Sequence, residues 1–144
     1  MFDTILVATD GSSHAERALE CARDLALACG SKVVVVNAFE PIPGFVGEPM
    51  LGDLMAHHVM VSRRIAERAA ERLEEAGLEV EAEILQGPPA RAILDVAEGC
   101  GADVIVMGSR GQGEITSLLL GSVSHRVLAH AQVPVMVVRD ETEA

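Results

Sequence analysis

A chain of 144 residues, 49% of them apolar, has the size of one ordinary α/β domain and enough apolar material for a core. Its net charge of −11 argues against a general nucleic-acid or anionic-membrane partner, and the absence of Trp and Tyr removes the platforms on which single-stranded bases stack. No apolar run approaches the roughly 20 residues of a membrane span. The opening MFDTILVATDGS carries no basic stretch with a cleavage site, so the expectation is a soluble cytoplasmic protein with no membrane or nucleic-acid partner. Cys21, Cys29 and Cys100 are odd in number, lack CxxC spacing and read as reduced thiols.

Thr4–Thr9 (TILVAT) reads as a central buried strand. Asp10-Gly11-Ser12-Ser13 interrupts it, and Ser13 with Glu16 fits a capping box that opens a helix. Ala15, Leu19, Ala22, Leu25, Ala26 and Cys29 recur at helical spacing until Gly30 stops the pattern. Lys32–Ala38 is a second buried strand. Glu40–Gly52 is rich in Pro and Gly, which predicts a long loop and a candidate flap. A long helix is expected from about Leu54 to Ala76, with Ile65, Ala69 and Leu73 on its inner stripe. Met50, Met55 and Met60 read as core filler.

Glu79–Leu85 alternates polar and apolar residues, as a half-exposed edge strand does. Pro88-Pro89 suits the first turn of a helix whose buried stripe is Ala92, Ile93, Val96 and Ala97, ending at Gly99–Gly101. Val104–Met107 is a further buried strand; it breaks at Gly108, and Gly111, Gly113 and Gly121 follow. Leu118–Leu120 reads as an anchor that pins this loop to the body. A helix runs from about Ser122 to Ala131, and Val133–Val138 is the last strand, with Pro134 near its start because Pro has no N–H to give to a ladder.

Strict alternation of strands and helices predicts an α/β fold in a single domain, 1–144. The sheet is expected to be doubly wound, parallel and five-stranded, in the order 3-2-1-4-5, with helices on both faces. In such a sheet the ligand crevice lies at the C-terminal ends of the strands where the order reverses. Thr9-Asp10-Gly11 and Gly108-Ser109-Arg110-Gly111 end the two strands that flank that point. A strand, a glycine loop and a helix start also bring backbone N–H groups together on an anion, so two separate arguments reach one crevice.

Residue types narrow the ligand. The sole lysine, Lys32, opens a strand, so there is no Walker A loop. Asp10-Gly11-Ser12-Ser13 does not supply the GxGxxG of a dinucleotide fold. Gln86-Gly87 and Arg139-Asp140 stand where a response-regulator receiver needs an aspartate and a lysine, and no Trp or Tyr is present to sandwich a flavin.

The residues Ile5–Ser12, Gly87-Pro88-Pro89-Ala90 with Ile93, Ala102–Gly111, Gly121–Ser124 and Val133-Pro134-Val135 together resemble the universal stress protein family over essentially the whole chain. Gly108, two residues, Gly111, nine residues and Gly121-Ser122 match the family's ATP-binding signature, Gly-x2-Gly-x9-Gly-Ser, without a gap. The resemblance implies a Rossmann-like fold of the adenine nucleotide alpha hydrolase kind and places the chain in the ATP-binding branch. By the same resemblance Asp10 bonds the ribose or helps hold a metal, Ala8 and Thr9 border the nucleoside, and Ala38 offers backbone atoms to the adenine edge. Met107 sits under the sugar or base, and Gly108, Arg110 and Gly111 wrap the phosphates. Gly121, Ser122 and Ser124 receive the phosphates with N–H groups and hydroxyls; Ser109 and Val123 complete these two segments. Asn37 stands where many members carry histidine.

ATP adds about four negative charges to a chain already at −11, and the signature offers only Arg110, so Mg²⁺ or Mn²⁺ with few protein ligands is expected. His14, His57, His58, His125 and His130 are scattered, and adjacent His57 and His58 diverge on a helix rather than chelate. No nucleophile stands with a base, which favours an ATP-binding stress-response or regulatory protein with at most slow hydrolysis. A dedicated ATP hydrolase or adenylyl-transfer enzyme, and a dimeric interaction module with a vestigial pocket, are the competing readings. The apolar edge Pro134–Val138 calls for a cover, and the simplest is the same strand of a second subunit, a homodimer that the resemblance also implies.

Overall fold

The computed structural model describes residues 1–110 and 120–139. Nine elements follow one another as β1 (Thr4–Ala8), α1 (Ser13–Cys29), β2 (Lys32–Phe39), α2 (Met50–Glu75), β3 (Val80–Gln86), α3 (Pro89–Cys100), β4 (Val104–Gly108), α4 (Ser122–His130) and β5 (Val135–Val138). All strand pairs are parallel, and the sheet order is β3-β2-β1-β4-β5, as the alternation predicts.

The period of two along each strand splits the core into two layers. Ile5, Val7, Val33, Val35, Val104 and Val106 pack against Ala18, Ala22 and Ala26 of α1 and Ala66, Ala69 and Leu73 of α2. Their sequence neighbours Leu6, Val34, Val36 and Ile105 pack on the other face against Ala90, Ile93 and Val96 of α3 and Val127 of α4. The central strands are thus buried on both sides, which is why they read as unbroken Val/Ile runs. At β3 the alternation carries Glu81 and Glu83 to the exposed side of an edge strand.

Several boundaries differ from those read in the sequence. The cap of α1 is Ser12, not Ser13: Ser12 is extended (φ −77, ψ 167) and its hydroxyl accepts the Ala15 N–H at 3.3 Å. Asp10 accepts the Ser12 N–H at 2.9 Å, so a local turn sets the helix start one residue earlier than the capping-box pattern does. Glu16, the other half of that pattern, pairs with Arg72 of α2. β5 begins at Val135, because Pro134 contributes only its carbonyl, which accepts the Ile105 N–H at 3.0 Å.

Helix α2 begins at Met50 rather than near Leu54, which shortens the expected loop. Its 26 residues span roughly 39 Å, while the eight residues of β2 beneath span roughly 26 Å. The buried residues of α2 therefore start only at Ser62. Met50 and Met60, read as core filler, are 61% and 50% exposed. At Met50 the helix has run past the sheet, whereas Met60 lies on the helix face turned away from Ser62, Ala66 and Ala69.

Candidate functional site

The crevice forms where β1 and β4, side by side in the sheet, send their chains to different places. β1 runs into Thr9, whose N–H still reaches the Val36 carbonyl at 3.0 Å, and the chain then turns through Asp10 and Gly11 into α1. Gly11 has φ +80, a conformation that side chains with a Cβ rarely adopt. β4 ends at Gly108, directly under the first turn of α1. A Cβ built on Gly108 would stand 3.0 Å from the His14 carbonyl oxygen. Glycine lets these two backbones touch, and the touch fixes one wall of the crevice.

Ser109 closes the base of the glycine loop. Its N–H donates to the Val138 carbonyl at 2.9 Å, and its carbonyl accepts the Gly121 N–H at 2.6 Å and the Ser124 hydroxyl at 2.8 Å. The two ends of the 110–120 segment are thereby held together while β5 is tied to the same point. Helix α4 then starts at Ser122, and its cap position is Gly121, which has no side chain of its own.

Between these elements lies a cavity of about 280 Å³, near the lower end of the range of about 300–1,000 Å³ for small-molecule sites. Of the residues singled out in the sequence, Ala8, Thr9, Asp10, Ala38, Met107, Gly108, Arg110, Gly121, Ser122, Val123 and Ser124 line it. Ser109 does not; it is fully buried behind the wall, where its backbone does the holding. Gly111 lies outside the described residues, as do Gly113, Leu118 and Leu119. The Ser124 hydroxyl, expected to face a phosphate, gives its proton to backbone: it lies 2.8 Å from the Ser109 carbonyl and 3.1 Å from that of Gly121. Ser124 thus reaches the cavity as a structural brace.

Ala15, Val36, Asn37, Glu40, Pro89 and Ile93 also line the cavity, and sequence reading gave them no role there. Pro89 and Ile93 come from the start of α3, which abuts the crevice only because the sheet order puts α3 over β1 and β2. With Met107 they make one wall apolar. The lining also carries Asp10, Glu40, the α4 N-terminus and Arg110, which is only 4% exposed. The lining is therefore mixed: its apolar side chains suit a flat ring, and its helix N-terminus and one guanidinium suit an anion. Among the described residues, no three His, Cys, Asp or Glu side chains stand close enough to hold a metal ion by themselves. No described helix is long and apolar enough to cross a membrane.

Comparison with known proteins agrees with this architecture. Residues 1–139 match the universal stress protein family. A universal stress protein of Thermus aquaticus is 45% identical over 140 residues, covering 96% of this chain and 100% of the relative. The solved structure of MJ0577, from Methanocaldococcus jannaschii, superposes with a TM-score of 0.89 at 30% identity and covers 98% of each chain. Two similar structures hold nucleotides. A universal stress protein from Archaeoglobus fulgidus in complex with dAMP has a TM-score of 0.72 at 27% identity, covering 94% of this chain and 97% of that one. A universal stress protein in complex with cAMP has a TM-score of 0.71 at 28% identity, covering 96% and 97%. Sheet order, crevice and sequence agree, and the chain belongs to the universal stress protein family.

Proposed function

We propose that this protein is a cytoplasmic, ATP-binding regulatory member of its family, which holds ATP in the β1/β4 crevice. The observation that carries the reading is that Ala38, Asp10 and the N-terminus of α4 line one cavity. The adenine lies against Val36, Ile93 and Met107, with its polar edge on the backbone of Ala38. The ribose lies by Ala8, Thr9 and Asp10. The phosphates lie between Gly108, Ser109-Arg110, Gly111 and the start of α4 at Ser122–Ser124, while the Gly121 N–H stays on the Ser109 carbonyl. The dAMP and cAMP complexes of similar proteins support an adenine nucleotide as the ligand class.

A divalent ion, Mg²⁺ or Mn²⁺, comes with the nucleotide. Asp10 is its protein ligand by the ribose–phosphate junction, and since no three-ligand cluster stands among the described residues, phosphate oxygens supply most of its shell. Binding rather than turnover is the function, since among the described residues the crevice brings no nucleophile and base together; any hydrolysis is slow. Calorimetric titration with ATP tests this. ATP binding that weakens at least tenfold when divalent ions are chelated is the expected result. Unchanged affinity after chelation overturns the metal, and turnover above about 1 per second overturns the regulatory role.

The same proposal includes a homodimer through Pro134–Val138. β5 is an edge strand whose Val135, Met136 and Val137 are all partly exposed, and a second copy of the strand covers them.

A further inference from the structure

Strand β2 outruns β1. Its ladder with β1 ends at Ala8 opposite Val36, whereas its ladder with β3 continues to Phe39 opposite Gln86. Along a parallel strand, alternate residues turn their N–H and C=O to opposite neighbours. Val33 and Phe39 bond toward β3, through Val33 N–H to the Glu79 carbonyl and Gly87 N–H to the Phe39 carbonyl, both at 2.9 Å. Val36 bonds toward β1, accepting the Thr9 N–H at 3.0 Å. Ala38, two residues further on, therefore turns its N–H and C=O to the β1 side as well.

Regular pairing would use both groups. It would send the Ala38 N–H to the Thr9 carbonyl and the Gly11 N–H to the Ala38 carbonyl. Two side chains take those places. The Thr9 carbonyl accepts from Asn37 Nδ2 at 2.7 Å. The Gly11 N–H turns back to the Thr9 hydroxyl oxygen at 3.2 Å. Asn37 is in turn fixed from α2, where the Ser62 hydroxyl donates to its Oδ1. Asn37 is 5% exposed and Ser62 is 2% exposed, so this is a buried polar chain from α2 through β2 to the end of β1.

We propose that Asn37 and Ser62 are positioning residues that keep the β1–β2 ladder from closing, and so reserve the Ala38 N–H and C=O for the base. A backbone N–H beside a C=O matches the N1 acceptor and N6 amino donor of adenine; guanine presents the opposite pattern, an N1 donor and an O6 acceptor. The Asn37–Ser62 pair thereby sets the preference for a 6-aminopurine, which rests on the reading of the crevice as an adenine nucleotide site. Removing the pair lets the Ala38 N–H fall back on the Thr9 carbonyl and close the gap.

The test measures ATP and GTP affinity by calorimetry on the wild-type protein and on Asn37→Leu, Ser62→Ala and Ser62→Thr, with urea midpoints to establish folding. Wild type prefers ATP. In Asn37→Leu and Ser62→Ala the ATP affinity falls about tenfold with GTP affinity unchanged, while Ser62→Thr keeps the hydroxyl and restores the preference. If Asn37→Leu does not fold, Ser62→Ala decides. A folded variant that keeps the wild-type ATP-to-GTP ratio, or that loses both nucleotides equally, overturns the inference. Wild type that binds ATP without preference over GTP also overturns it and leaves nucleotide binding standing. Wild type that binds no ATP removes the nucleotide reading itself.

Discussion

Gly108 and Gly30 separate two reasons for a glycine. At Gly30 the reason is conformational: it ends α1 at φ +67, and a Cβ there would meet nothing within 4 Å. At Gly108 the reason is space, because the Cβ would meet the backbone of His14 at 3.0 Å, and backbone cannot step aside as a flexible side chain can. Gly108→Ala should therefore push the start of α1 away from β4 and cost about 1–3 kcal/mol, the usual range for overpacking. It should also weaken ATP binding, because Asp10 and Ser12 ride on the same turn. Urea unfolding and calorimetry measure the two effects; an alanine variant with wild-type stability would show that the contact yields. The sequence made Gly108 legible as special through its spacing to Gly121. It could not tell that the partner is His14, since that contact joins positions 94 residues apart. Asn37 was harder still. Its role depends on which way two strands diverge, and no local pattern records that.

Helix α2 shows what periodicity can and cannot establish. Apolar residues at helical spacing made the helix itself plain; of the expected stripe Ala69 and Leu73 are buried and Ile65 is half-buried, with Ala66 and Ala70 buried beside them. The same spacing did not tell that Met50 lies past the end of the sheet, because a sequence does not record the length of the surface a helix will lie on, nor that Met60 is on the outer face. The two halves should respond differently to substitution. Leu73→Ala removes a side chain that is 1% exposed and should cost about 2–5 kcal/mol. Met50→Gln and Met60→Gln replace exposed side chains and should stay within about 0.5 kcal/mol of wild type. Denaturant midpoints at constant slope check both. A large loss from either methionine would mean that the outer half of α2 is packed against something in solution.

At the scale of the whole molecule the strand order was the most legible feature, because alternation and crossover handedness leave few topologies for nine elements. That order leaves two edges of opposite character. β3 exposes Glu81 and Glu83, charges that resist pairing with another strand. β5 carries no charge from Val135 to Val138, and its Met136 is 38% exposed. Two chains of net charge −11 repel, so they can approach closely only where acidic side chains are missing, and the β5 edge is such a place. In the proposed antiparallel pairing about a two-fold axis, residue i faces residue j and j faces i, so both copies of any substituted residue enter the same short ladder. Val137→Glu would then set two like charges across the pair, which is destabilising in any antiparallel ladder. Wild type should run as a dimer by size-exclusion chromatography with light scattering, held more firmly as salt screens the net charge. The glutamate variant should run at half that mass or lose solubility. A monomeric wild type, or a variant that elutes with the wild-type dimer, would mean that β5 is covered by something other than a second copy of itself.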